Sequence, residues 1–202
     1  GADITATLDG ISVTFAASEN FNGSESFIVI VSDGDLSASQ SFTVTVNAVN
    51  DTPAADSASS ETSEDQEVVI ALTASDVDGD NLSFSLDSDA TNGSVTINGS
   101  FATYSPNDNF SGSDSFTFTV SDGTLTDEAT VSLTVTAVND APVLASVSDV
   151  AFDEDGSDSI TLTANDVDGD NLTYSITDGS DIVASLSGNN ITFSAPDNFY
   201  GS

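Results

Sequence analysis

The chain repeats itself at a spacing of about ninety residues, and few folds accommodate that. The segment F-N-G-S-E-S-F at 21–27 returns 89 positions later as F-S-G-S-D-S-F at 110–116, and A-V-N-D at 48–51 returns 89 positions later at 137–140. S-D-V-D-G-D-N-L-S-F-S at 75–85 returns as N-D-V-D-G-D-N-L-T-Y-S at 165–175, one residue further on, and Y-S-P-N-D-N-F at 104–110 returns as F-S-A-P-D-N-F at 193–199. Read from the A-V-N-D boundary, residues 52–140 make one whole copy. Residues 1–51 hold the latter part of a preceding copy, and residues 141–202 the first two thirds of a following one. The expectation is therefore a window on a longer tandem array, with neighbouring repeats of the same chain as the principal partners. An alternative is a filament whose subunits complete each other's sandwiches, which leaves self-association into fibres open. It is weakened because residues 4–21 and 182–199 duplicate one region.

Within the whole copy, apolar residues alternate with polar ones, as strands with one buried face require. Val68, Ile70, Leu72 and Ala74 form one set, Leu82, Phe84 and Leu86 a second, and Val95 and Ile97 a third. Phe101 or Ala102 leads to Tyr104. Phe116, Phe118 and Val120 are the clearest inward set, followed by Ala129, Val131, Leu133, Val135 and Ala137. The stretch 55–62 reads as a weak first strand. Glycine-bearing turns separate these runs, and no segment keeps a 3.6-residue period. About seven short strands in about ninety residues predict an all-β chain of immunoglobulin-like Greek-key sandwiches in a linear array.

Composition removes whole classes of function. The 202 residues carry 34 Asp and Glu and no Lys, Arg, His, Cys, Met or Trp, for a formal charge of −34. With no basic side chain, nothing can neutralise phosphates, so nucleic acid is not an expected partner. There is no imidazole base or zinc ligand, no thiolate and no disulfide, and extracellular stability must come from packing or metal ions. An enzyme built on carboxylate pairs would gather its acids in one cleft, whereas these recur in every copy, so no enzyme is expected. No apolar run is long enough for a transmembrane segment.

Acids cluster where the turns recur. Asp76, Asp78 and Asp80 lie in D-V-D-G-D-N, repeated by Asp166, Asp168 and Asp170. An i, i+2 pair flanking a glycine turn lets carboxylates converge on one point, which like charges resist unless a cation sits there. With oxygen donors only, the ion is a hard one, and Ca2+ tolerates irregular geometry better than magnesium.

The ordered set of D-x-D-G-x-N, an acid before F-x-F-x-V, V-S-D-G and V-N-D-x-P resembles cadherin-like domains. It is most similar to the bacterial cadherin-like repeats of giant adhesins secreted by type I systems, and the resemblance covers all 202 residues. It implies calcium ions between consecutive domains. Carried over residue by residue, the ligands at the first boundary are Glu25, Asn50 and Asp51, with Asp76 and Asp78 from the next copy. At the second they are Asp114, Asn139 and Asp140, then Asp166 and Asp168, with Glu64 or Asp65 as the early acidic ligand. Asn81 and Asn171 are further amide oxygens that equally suit a turn. The sequence departs from the cadherin linker D-x-N-D-N-x-P: Asn47 and Val49 stand where that pattern has Asp and Asn, and Thr136 and Val138 stand there at the second boundary. Fewer ions per junction follow. Adhesion by a swapped tryptophan strand is not implied, since there is no Trp. The function implied is a calcium-rigidified stalk or adhesion segment, extracellular, at a cell surface or in a secreted matrix. The alternative is a carbohydrate-binding module, which usually wants aromatic platforms; the chain has three Tyr and no Trp, and Tyr104, Tyr174 and Tyr200 are expected to pack at sandwich edges.

Overall fold

A computed structural model of the chain describes residues 3–177, 179–197 and 199. Tyr200 lies outside the described residues. Those described form strands and turns with no helix, in two compact units that divide between Thr136 and Ala137.

The first unit begins with two hairpins. Strand β1 (Ile4–Asp9) pairs antiparallel with β2 (Ser12–Ala17), and β3 (Gly23–Ser32) with β4 (Ser37–Val46). They are joined through three rings: Phe15 from β2 meets Phe27 from β3 edge-on at 5.2 Å and Phe42 from β4 at 5.9 Å.

The rest of this unit is a complete sandwich. Its strands are β5 (Ala54–Ala55), β6 (Ala58–Ser63), β7 (Val68–Ala71), β8 (Ala74–Ser75), β9 (Ser83–Ser88), β10 (Gly93–Asn98), β11 (Phe101–Pro106), β12 (Gly112–Ser121) and β13 (Thr126–Thr136). One sheet has the order β10-β11-β7, the other β6-β13-β12-β9, and β5 pairs with β8. The expected weak first strand is thus two pieces. Its beginning pairs antiparallel with β8, and its continuation runs parallel to β13 in the opposite sheet. The core lies between the sheets, where Ile70, Leu72, Val95, Ala102 and Tyr104 face Phe116, Phe118, Val120, Val131, Leu133 and Val135. The ambiguity at 101–102 resolves in favour of Ala102, which is fully buried, while Phe101 is 53% exposed. Fully burying a Phe or Val side chain stabilises the fold by about 1.5–3 kcal/mol, so these alternating rows supply most of the driving force.

The second unit repeats the first half of this plan. Strand β14 (Val143–Leu144) pairs with β16 (Ala164–Asn165), and β15 (Ser157–Thr161), β17 (Val183–Ser187) and β18 (Asn190–Ser194) form a sheet of order β15-β18-β17. Residues 173–176, equivalent to part of β9, are not a strand. β9 is held by β12, and β12 has no counterpart among the described residues of this unit.

Candidate metal centre

The turn after β8 curls around its own first acid. Asp76 Oδ1 accepts the amides of Asp78 at 2.9 Å and Asp80 at 3.3 Å, and Gly79 takes φ 79°, the left-handed conformation that glycine adopts without steric cost. Carboxylate oxygens of Asp76, Asp78 and Asp80 consequently lie within 4.8 Å of one another. The other oxygen, Asp76 Oδ2, is inaccessible to solvent and has no hydrogen-bond partner among the described residues.

The segment between β4 and β5 reaches this turn. Asp51 donates its amide to Asp78 Oδ2 at 2.7 Å, and the side-chain amide of Asn50 donates to Asp122 Oδ2 at 2.7 Å. Pro53, just beyond, is buried. Asp122 lies in the turn after β12, where its other oxygen accepts the amides of Thr124 and Leu125. The Leu125 amide, then Asn50 and the Thr124 amide, hold its carboxyl below the ordinary carboxylate range. One end of the complete sandwich therefore gathers Asn50, Asp51, Asp76, Asp78, Asp80 and Asp122.

The second unit builds the same turn. Asp166 Oδ1 accepts the amides of Asp168 at 3.1 Å and Asp170 at 3.2 Å, and Asp140 donates its amide to Asp168 Oδ2 at 2.7 Å. Asn139 donates its side-chain amide to the Asp140 carbonyl. Asn81 and Asn171, which follow the two turns, are exposed.

Of the remaining expected ligands, Glu25, Asp65 and Asp114 accept backbone amides. Glu25 Oε1 accepts the amides of Asp3 and Ile4. Asp114 accepts three backbone amides and the Tyr104 hydroxyl. Glu64 follows β6, its amide donating to Thr136 and its side chain buried. Asp65, at φ 59°, accepts the amide of Asn109. Asp80 and Asp122 are additions to the expected set. Their signals were the third acid of D-V-D-G-D and the V-S-D-G turn.

Convergent carboxylates, one of them with a buried oxygen lacking a donor, suit a divalent cation bound through oxygen. The chain offers no ammonium or guanidinium to take that place.

The chain matches the family model of the bacterial Ig domain twice in tandem, over residues 50–134 and 139–202. No curated protein matches it. Among solved structures, extracellular cadherin domains 1–4 of protocadherin gamma B7 superpose with a TM-score of 0.50 at 15% identity, covering 96% of this chain and 56% of that one. Drosophila N-cadherin EC1–4 gives 0.46 at 14% identity, covering 98% and 57%. An endo-fucoidan hydrolase of glycoside hydrolase family 107 gives 0.38 at 18% identity, covering 98% of this chain and 33% of the enzyme. The chain thus spans about a third of the hydrolase and a little over half of each cadherin fragment. The protocadherin likeness establishes a cadherin-type fold.

Proposed function

The chain belongs to the bacterial Ig domain family, and on that premise we propose that it is a non-enzymatic, calcium-stiffened stalk or adhesion segment of a longer extracellular protein, at a cell surface or in a secreted matrix. The observation that supports this reading is the end of the complete sandwich, where the linker residues Asn50 and Asp51 are bonded to the acids Asp122 and Asp78 beside the convergent Asp76 and Asp80. Asn50, Asp51, Asp76, Asp78, Asp80 and Asp122 are the residues that would hold calcium there, and Asn139, Asp140, Asp166 and Asp168 form the corresponding set in the second unit. A bound divalent cation supplies the positive charge that turns mutual repulsion among these acids into attraction to a common centre. The linker acids then share that centre with the turn acids, so the linker loses its freedom to swing. Buried Pro53 already restricts its backbone. Extracellular modules of this kind bind calcium at roughly 10⁻⁴–10⁻³ M, so stiffening would follow secretion into calcium-rich surroundings.

The carbohydrate-binding reading gains nothing from Tyr104, whose ring is fully buried and cannot serve as a stacking platform. The test is a calcium titration of the chain, following melting temperature and small-angle scattering together. The proposal expects a rise in melting temperature and a narrower distribution of longer interatomic distances. No change beyond that given by sodium chloride of equal ionic strength would refute it.

A further inference from the structure

The acid that opens the F-x-F-x-V strand is engaged elsewhere in this fold. The structure assigns Asp114, and Glu25 one copy earlier, the role of a clamp across the sandwich instead of a cation ligand. Asp114 lies on β12 in one sheet. Thr91 and Asn92 precede β10, and Tyr104 lies on β11, both strands of the other sheet. A carboxylate offers about four lone-pair sites, and all four are taken. Oδ1 accepts the amides of Thr91 at 3.1 Å and Ser115 at 2.9 Å, while Oδ2 accepts the amide of Asn92 at 2.9 Å and the hydroxyl of Tyr104 at 3.0 Å. Turning this carboxylate towards a metal ion would leave the hydroxyl of a fully buried tyrosine without its acceptor.

The surroundings are built for the clamp. Tyr104 lies so close over Gly93 that a Cβ there would sit 2.4 Å from its ring and 2.6 Å from the carbonyl oxygen of Ser105. A side chain at position 93 would displace the ring from the place where its hydroxyl reaches Asp114. One copy earlier the parts change together. Phe15 stands in the place of Tyr104 and brings no hydroxyl, and the acid is the longer Glu25. Glu25 Oε1 accepts the amides of Asp3 and Ile4, which stand 89 residues before Asn92 and Gly93. Two copies with different acids and different rings thus fasten the same stretch of backbone, the start of the strand that faces the acid.

The test melts the whole chain in chelator and in calcium for the wild type, Asp114→Asn, Tyr104→Phe and the double variant. Its calcium arm rests on the calcium reading above, and its chelator arm does not. Asp114→Asn is expected to lower the melting temperature in chelator by about 5–10 °C and to leave the calcium-induced rise at its wild-type size. Tyr104→Phe keeps the carboxylate and is expected to lose less, with the double variant losing less than the two single losses combined. A calcium-induced rise cut by half or more in Asp114→Asn, with melting in chelator unchanged or raised, would overturn the clamp and return Asp114 to the metal site. If the wild type shows no calcium-induced rise, the calcium reading fails while the chelator arm still decides the clamp. Unchanged melting of Tyr104→Phe in chelator would overturn it, including where Asp114→Asn does not fold.

Discussion

Replacing Asp78 by Asn should change stability in opposite directions with and without calcium. The oxygens of Asp76, Asp78 and Asp80 that approach within 4.8 Å form three like-charge pairs. At that separation each pair costs about 0.9 kcal/mol in a medium as polarisable as water. Asp78 and Asp80 are exposed and Asp76 is half-buried, so the water value is the conservative one, and salt reduces it further. Asp78→Asn removes two of the three pairs, or about 1.7 kcal/mol before screening. The amide oxygen of Asn can still accept the Asp51 amide that now reaches Asp78 Oδ2. In chelator and low salt the variant should therefore melt several degrees above wild type. In 10 mM calcium the wild type gains about 1.4–2.7 kcal/mol if its dissociation constant is roughly 10⁻³–10⁻⁴ M, and the variant forfeits most of that gain. Calorimetric melts in chelator and in calcium, at about 20 mM and at about 300 mM sodium chloride, give the four numbers needed. Equal destabilisation of the variant in chelator and in calcium would refute the reasoning. It would mean that Asp78 acts through its bond to Asp51 alone.

Gly93→Ala should be far more harmful than a glycine-to-alanine change in an open turn. The added Cβ meets a backbone oxygen at 2.6 Å as well as the Tyr104 ring. Overpacking of about 1–3 kcal/mol, with loss of the Tyr104–Asp114 bond at about 1.5–3 kcal/mol, predicts a melting temperature at least 10 °C lower. Thermal melts would show it, and a loss under 3 °C would contradict the packing. Acid titration in chelator should reveal the clamp's charge. Burial raises the Asp114 carboxyl, but the amides of Asn92, Ser115 and Thr91 and the Tyr104 hydroxyl outweigh it, leaving the group below its ordinary value. A lowered folded value means that the contribution is complete above about pH 4 and is lost as pH falls through the folded value. The melting difference between wild type and Asp114→Asn should hold from pH 7 to 5 and shrink below about pH 3.5. A difference that stays constant down to pH 2 would contradict this.

The strands were readable wherever one face is buried and the neighbouring positions are polar. Phe116, Phe118, Val120, Val131, Leu133 and Val135 are each at most 3% exposed. Their alternation is a direct consequence of a two-residue period meeting a two-layer core. The division of the first strand was not readable. Residues 54–63 are mostly Ala, Ser and acids, with no alternation to choose a face. The choice is made by which edges leave backbone groups unpaired, and those edges belong to β8 and β13, far along the chain. The choice between Phe101 and Ala102 depends likewise on hairpin register. Pairing of Asn98 with Phe101 around Gly99 turns Ala102 inward, opposite Ile97.

The same division by range separates what could be anticipated of the candidate site from what could not. D-V-D-G-D converges through bonds within five residues, Asp76 to the amides of Asp78 and Asp80, so its spacing alone announces the cluster. Asp122 also sits in a local turn, and V-S-D-G looks like no more than a turn until Asn50, 72 positions away, is found beside it. Asp114 is the extreme case. Its donors Thr91, Asn92 and Tyr104 lie between 10 and 23 positions earlier and reach it only once the two sheets have closed. A family resemblance assigns a carboxylate to a metal by its place in a motif. In the fold, Asp114 meets three backbone amides and a phenol, which occupy its lone pairs. On the clamp reading, Asp114 and Glu25 are two half-buried acids of the motif that serve the backbone and leave the cation to the turn acids.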